Sequence, residues 1–422
     1  MTPSVMIKQL LLAVLPDDAA ERLRRFVWEF GLPSAARRAI RHDLAGELAP
    51  DPGPAACIEE LLVWLGRAQD NSLSEDGGFA RDWGFLHGWT ASYPETTGYI
   101  IPTLIDQASH ARPQLLTRAR RALDWLLTIQ MDNGAFPGGR IDQRPIVPVS
   151  FNTGQILFGL VAGARAFADP ALLAAAHRAA AFLRDSLDPD GVWRRYPSPF
   201  ALGGDKVYDT HVAWALFEAD RLDPNHGYGA AGMRQVRWAL TRQTDNGWFS
   251  DNCLDWPEAP LTHTIGYALR GLIEAWRWSC WKGDEDATLL AAAIRTADAL
   301  AGCIDEAGRI PGQLDRNWKS AASYVCITGN AQIAACWHLL AGPAGRADWA
   351  ELARRATGFA RRTISDYGVP GSYPVDGAYC RLQYPNWAAK FLIDACQMEL
   401  DPPPGPGPDQ RTGCDAPSTC VT

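Results

Sequence analysis

Several signatures that would settle the question at once are missing. No run of Lys and Arg interrupts the 422 residues, and the net charge of −8 with a pI near 5.5 speaks against a nucleic-acid partner. No apolar stretch approaches the ~20 residues that a membrane-spanning helix needs. HExxH, a P-loop and a Gly-rich dinucleotide fingerprint are all absent, so no metal and no cofactor is called for. The ten Cys are scattered without a CxxC pair, which reads as reduced, buried thiols in a cytoplasmic protein. Cys414 and Cys420 alone are spaced like a local pair. After Lys8, the apolar run Leu10–Leu15 is shorter than a signal-peptide core and no small-residue cleavage site follows it. No segment sustains period-2 alternation, so a substantial sheet is not expected.

What is present is a repeat. An acidic or polar residue, a Gly and a large apolar residue recur around Gly78, Gly134, Gly191, Gly247, Gly308 and Gly368, at spacings of 56, 57, 56, 61 and 60. Before each turn runs an amphipathic helical pattern, with Trp64, Trp125 and Trp238 each five residues ahead of Gln69, Gln130 and Gln243. After each turn comes a helix apolar nearly all round: 98–108, 154–167, 211–218, 266–276, 329–340 and 387–396. Half-solvated and fully buried helices alternating six times describe an outer ring around an inner ring. The expected fold is all-α, an (α/α)6 toroid over residues 56–400. Residues 1–55 read as an N-terminal helical extension, with helices around 5–15, 18–30 and 34–47, and the Pro/Gly-rich tail 401–422 as disordered.

In such a ring the N-termini of the inner helices converge on one face, with their unpaired N–H groups and dipoles directed at it. The inner helices align on Gly98, Gly154, Gly266 and Gly329, with His211 at that place in the third repeat. Just ahead of those positions lie Glu95, Thr96, Asn152, Tyr208, Asp209 and His263; Asn386 and, one turn further in, Lys390 belong to the sixth repeat. Ionisable groups entering helices this apolar are costly unless partnered. Each alone also suits a helix cap or a buried hydrogen bond. Together they make a candidate site, with Glu95 and Asp209 as acid/base carboxylates and His211 and His263 as proton-transfer or orienting groups. Tyr93, Asn152, Tyr208, Trp256, Tyr379, Arg381, Asn386 and Lys390 are the candidate substrate-binding residues. Arg for a carboxylate and aromatic faces for a pyranose ring suit an acidic sugar. Asp251, Cys253 and His263 have zinc-ligand chemistry, but two of them fall in one turn loop.

The elements Gln130-x3-Gly134-x-Phe136 and Gln243-x3-Gly247-x-Phe249 resemble the QW-type repeats of squalene cyclases and prenyltransferase β-subunits. That resemblance covers roughly 56–399 and implies the toroid. The Asp-x-Asp-Asp acid of class II terpene cyclases is absent, and Asp284-Glu285-Asp286 lacks the DDxxD pattern. The ring also resembles six-hairpin glycosidases, polysaccharide lyases and sugar epimerases. Ser92–Tyr99, Leu261–Ile265 and Tyr384–Lys390 look like segments of uncharacterised bacterial proteins often encoded beside polysaccharide-biosynthesis enzymes. These resemblances imply a cytoplasmic protein acting on an acidic oligosaccharide or polysaccharide by hydrolysis, elimination or epimerisation, with polysaccharide-assembly proteins as candidate partners. A non-catalytic glycan- or partner-binding scaffold and an isoprenoid enzyme are the alternatives.

Overall fold

The computed structural model describes residues 28–403. The helix expected around 5–15, the first part of the one around 18–30, and Cys414 and Cys420 lie outside the described residues. The eight described cysteines are all free thiols.

After α1 (Ser34–Leu44), six helical hairpins follow. The outer helices are α2 (Pro54–Asp70), α4 (Gln114–Ile129), α6 (Pro170–Ser186), α8 (Tyr228–Leu240), α10 (Ala287–Ala301) and α12 (Ala347–Arg361). The inner helices are α3 (Pro94–Asp106), α5 (Ser150–Phe167), α7 (Thr210–Leu222), α9 (Thr262–Lys282), α11 (Ile327–Ala341) and α13 (Asn386–Leu400). Each inner helix packs on the next, and α13 returns to α3, closing the toroid. The residue pattern accounts for the layering. In α4 only one stripe is buried, from Leu115 through Ala119 and Leu123 to Leu126, whereas α11 is buried on all sides from Ile327 to Leu340. Most inner helices begin a few residues before the Gly on which the sequence aligns them, so their first turns, not the preceding loops, carry the polar candidates.

The repeating turn has a physical cause. Its Gly takes a left-handed φ, 88° at Gly134 and 88° at Gly308, where an L side chain is strained. The first repeat uses Gly77 (φ 101°) in that role rather than the expected Gly78. The turn also lies flat on the next outer helix: a Cβ on Gly308 would sit 2.1 Å from the Arg355 carbonyl oxygen. The recurring Gln stitches the same junction. Gln69 Nε2 donates to the carbonyls of Gly77 (2.9 Å) and Arg118 (3.0 Å), and Gln130 Nε2 to those of Gly134 (3.0 Å) and Ala175 (3.0 Å). The inner-helix Gly serves contact between helices, since a Cβ on Gly98 would meet Ile156 Cα at 2.3 Å.

Among the described residues, extended structure amounts to isolated bridges and five strands of two or three residues, β1 (Asp82–Gly84), β2 (Gly88–Trp89), β3 (Val325–Cys326), β4 (Ser372–Tyr373) and β5 (Gln383–Pro385). The antiparallel pairing of β1 with β5, Trp83 opposite Tyr384, joins the first repeat to the last. Trp64 Nε1 reinforces it by donating to the Tyr367 carbonyl at 2.7 Å. The segment before the ring braces the sixth hairpin: Arg361 grips both Asp51 oxygens (2.7 and 2.6 Å), and Asp43 Oδ2 accepts the Val375 N–H at 2.7 Å.

Gly308→Ala should therefore lower unfolding free energy by about 2–4 kcal/mol, from left-handed strain plus overpacking against Arg355. Gly342→Ala, at negative φ with no neighbour within 4 Å, should stay within about 0.5 kcal/mol of the parent. Urea unfolding of the two variants checks this, and equal stabilities would remove the packing argument.

Candidate functional site

At the mouth of the ring, where the inner helices begin, a cavity of about 450 Å³ opens. Its floor is made by the first turns of α3, α5 and α9. Its walls come from the loops after the repeat turns, through Arg81, Arg140, Phe200 and Tyr379.

Glu95 lies in the first turn of α3 and is buried. Tyr93 Oη donates to its Oε2 at 2.7 Å, and Asn152 Nδ2 from α5 donates to the same oxygen at 2.9 Å. Oε1 is left to the cavity. Burial pushes the carboxyl up to about 7, against the Tyr93 bond and the Arg81 charge, which both pull it down. A neutral carboxylic acid near physiological pH is a proton donor of matched strength.

His263, in the first turn of α9, donates from Nδ1 to Gln332 Oε1 of α11 at 2.7 Å. That bond fixes the tautomer and leaves the Nε2 lone pair for a ligand. Burial lowers its pKa to about 4, so the ring is neutral over most of the accessible range. Arg81 supplies the cation. Its guanidinium stacks 5.0 Å over Trp387, is ion-paired with the buried Asp82, and reaches Gln383 Oε1 at 3.4 Å. Both of these hydrogen bonds use Nη1, and the Cys380 thiol also lies against the guanidinium. Trp387 is held in turn by donating Nε1 to Tyr379 Oη at 2.8 Å. Arg140 sits at the rim, paired with Asp142 at 2.9 Å.

Of the residues singled out from sequence, the cavity brings together Glu95, His263, Tyr93, Asn152, Tyr208 and Tyr379. Asp209 lies in the short 207–209 turn ahead of α7, directly after Tyr208. It is buried, makes no side-chain cap, and burial pushes it up to about 8, yet it is not among the residues lining the cavity. Asn386 is committed to ring closure, donating from Nδ2 to the Ala80 carbonyl (2.8 Å) and to Thr96 Oγ1 (2.8 Å). His211 and Lys390 lie deeper and line a separate cavity of about 360 Å³ toward the other end of the ring, with Tyr99 contributing to both cavities. His211 repeats the His263 arrangement, Nδ1 against Gln155 Oε1 at 2.8 Å, but is screened from the mouth by Tyr267, whose ring packs at 4.4 Å from His211 and 4.5 Å from His263. Trp256 is 63% exposed on a loop, and Arg381 is exposed and stacks on Trp28.

Asp251, Cys253 and His263 do not assemble as metal ligands: Asp251 faces Arg242, Cys253 is buried, and His263 is held by Gln332. Asp286 of the acidic cluster caps α10 through the Thr288 N–H at 3.0 Å. Sequence reasoning passed over Arg81, Trp387 and Gln332. Arg81 carried a usable signal, a lone cation two residues beyond Phe79 and directly before Asp82.

No protein-family model matches the chain, and no curated protein matches it. Solved structures do match its fold. An unsaturated glucuronyl hydrolase described as specific for heparin aligns with TM-score 0.65 and 13% identity over 82% of this chain and 97% of its own. A sugar epimerase from a ruminal bacterium gives TM-score 0.65 at 14% identity over 86% and 98%. The cellobiose 2-epimerase of Bacillus thermoamylovorans gives 0.62 at 10% identity over 85% and 98%. The chain thus has the all-α (α/α)6 toroid of these six-hairpin proteins, and among its described residues no helix is long and apolar enough to cross a membrane.

Proposed function

We propose that the protein is an enzyme that moves protons on an acidic saccharide bound at the ring mouth. The observation that carries this reading is Glu95, a buried carboxyl held protonated to about 7 with one oxygen left to a polar, aromatic-walled cavity. The Arg81 guanidinium would take the sugar carboxylate, and the face of Trp387 or Tyr208 would lie against the ring. Charge on that carboxylate, spreading as the adjacent carbon loses its proton, would be stabilised by Arg81. His263 Nε2 is the proton acceptor and Glu95 the donor. If Glu95 protonates the leaving glycosidic oxygen, the outcome is elimination. If it returns a proton to carbon from the opposite face, the outcome is epimerisation.

Hydrolysis by two flanking carboxylates is the second reading. Asp209 favours it, being buried next to Tyr208 in the chain with a raised pKa, but it is not among the residues that line the cavity. The hydrolases and epimerases that share the fold support a saccharide substrate in general terms. An isoprenoid enzyme fits less well, since Arg81, Glu95 and Arg140 line the same cavity. A scaffold role does not account for a neutral carboxyl at the floor of an open cavity. Enzymes of polysaccharide assembly are the partners this reading suggests.

A proton NMR time course in deuterium oxide with uronic-acid oligosaccharides should show exchange at the carbon bearing the carboxylate. Olefinic signals identify elimination and inverted products identify epimerisation. New reducing ends alone would favour the Asp209 reading, and no change in a folded protein would contradict an enzyme.

The two proton-transfer groups also set a pH profile. The active form needs His263 unprotonated and Glu95 protonated, so kcat/KM should rise through about 4 and fall through about 7. Glu95→Gln should lower kcat by about 10²–10⁴-fold. Because folding raises the Glu95 pKa from 4.5 to about 7, its protonated form favours the fold, and stability is lost as pH rises across that interval, by about 3 kcal/mol in full. A Gln side chain can still accept from Tyr93 and Asn152, so Glu95→Gln should melt higher than the parent at pH 8 and alike at pH 4. Thermal melts at the two pH values check the sign.

A further inference from the structure

Three side chains outside the mouth meet where α7 ends. His177 is on outer helix α6, Asp223 follows α7, and His226 lies in the short 224–226 turn before α8. One ligand atom from each lies within 4.8 Å of the others. His226 Nε2 is 2.9 Å from Asp223 Oδ2, His177 Nε2 is 3.5 Å from the same oxygen, and the imidazole centroids are 4.6 Å apart.

Tyr228, the first residue of α8, decides how His177 is protonated. Its hydroxyl donates to the His177 carbonyl at 3.3 Å, so toward His177 Nδ1, 3.1 Å away, it is an acceptor. With the hydroxyl proton on that carbonyl, Nδ1 carries the ring proton and Nε2 turns a lone pair toward a carboxylate oxygen. Two acceptors facing each other at 3.5 Å are not a hydrogen bond, and a cation between them satisfies both. Asp223 is oriented to match, because its Oδ1 faces the Asn225 backbone N–H and side-chain amide, each at 3.5 Å, so Oδ2 points at the rings. Arg184 fixes the backbone of His226 by donating to its carbonyl at 2.9 Å.

The geometry points to a zinc-type transition-metal site with His177 Nε2, His226 Nε2 and Asp223 Oδ2 as ligands and water in the fourth position. Zinc bonds of about 2.0–2.2 Å in a tetrahedron place ligand atoms about 3.3 Å apart, a spacing that 2.9 and 3.5 Å bracket. Two imidazoles and one carboxylate select zinc, nickel or copper over magnesium or calcium. On binding, the proton that His226 Nε2 shares with Asp223 moves to Nδ1, so the ring stays neutral. Tyr228 is the outer partner that orients His177, as metal-bound imidazoles usually require. The ion clamps the outer helix of the third hairpin to the turn that leads into the fourth, away from the mouth, so its role is to stabilise the ring.

The experiment uses the full chain freed of metal by chelator. Added zinc chloride should raise the melting temperature and bind at one equivalent by calorimetry, while magnesium chloride should do neither. Cobalt in place of zinc should give the visible absorption of a tetrahedral ion. Tyr228→Phe should weaken zinc binding roughly 10–100-fold. His226→Ala, at an exposed position, should fold normally and lose the zinc-dependent shift. Asp223→Asn, which keeps the side-chain shape, should weaken binding in the same assay. Failure of the parent chain to bind zinc would overturn the proposal. So would undiminished binding by His226→Ala, which would place the ion on the cysteines or elsewhere.

Discussion

A ring of helical hairpins must join its last repeat to its first, and here that junction is also one wall of the site. Asn386 at the start of α13 spends its amide on the Ala80 carbonyl and Thr96, drawing the sixth inner helix against the first. The pairing of Asp82–Gly84 with Gln383–Pro385 continues the seam. Arg81 and Trp387 flank this seam, so their stacking depends on closure. Without it, α3 and α13 would expose faces that are buried on every side, and Glu95 would return to water.

That dependence links the fold to the chemistry. Glu95 keeps its proton up to about pH 7 chiefly because the ring removes it from solvent, with Tyr93 and Asn152 fixing one oxygen. His263 is neutral for the same reason, its tautomer set by Gln332 from the neighbouring inner helix. Desolvation moves an acid up and a base down, so one burial prepares both groups in the forms that proton transfer requires. The Arg81–Asp82 pair keeps a guanidinium inside this apolar setting without an uncompensated charge.

The architecture was largely legible in the sequence because each turn needs a Gly for its φ, which recurs at a near-fixed distance, and three of the six turns add a Gln for the junction. The site was legible in part. Residues in the first turn of an inner helix, such as Glu95, Asn152 and His263, reach the mouth. His211, at the aligning Gly position, and Lys390, one turn further in, fall beneath the layer of Tyr99 and Tyr267 and face the opposite cavity. Asn386 has the chemistry of a ligand-binding amide, and only its three-dimensional neighbours reveal a closing bond. Asp209 sits one residue past Tyr208, close in sequence to the lining but not part of it. Trp387 and Gln332 gave no local signal because their roles lie in contacts made across repeats.

The most direct check is a carbon-13 NMR titration of the chain labelled at its Glu side-chain carboxyls, with Glu95→Gln assigning the resonance. The account predicts one Glu carboxyl with a midpoint near 7 that disappears in the variant. If every Glu carboxyl titrates near the ordinary value of about 4.3, Glu95 is solvated and ionised at neutral pH, and the proposed acid does not exist.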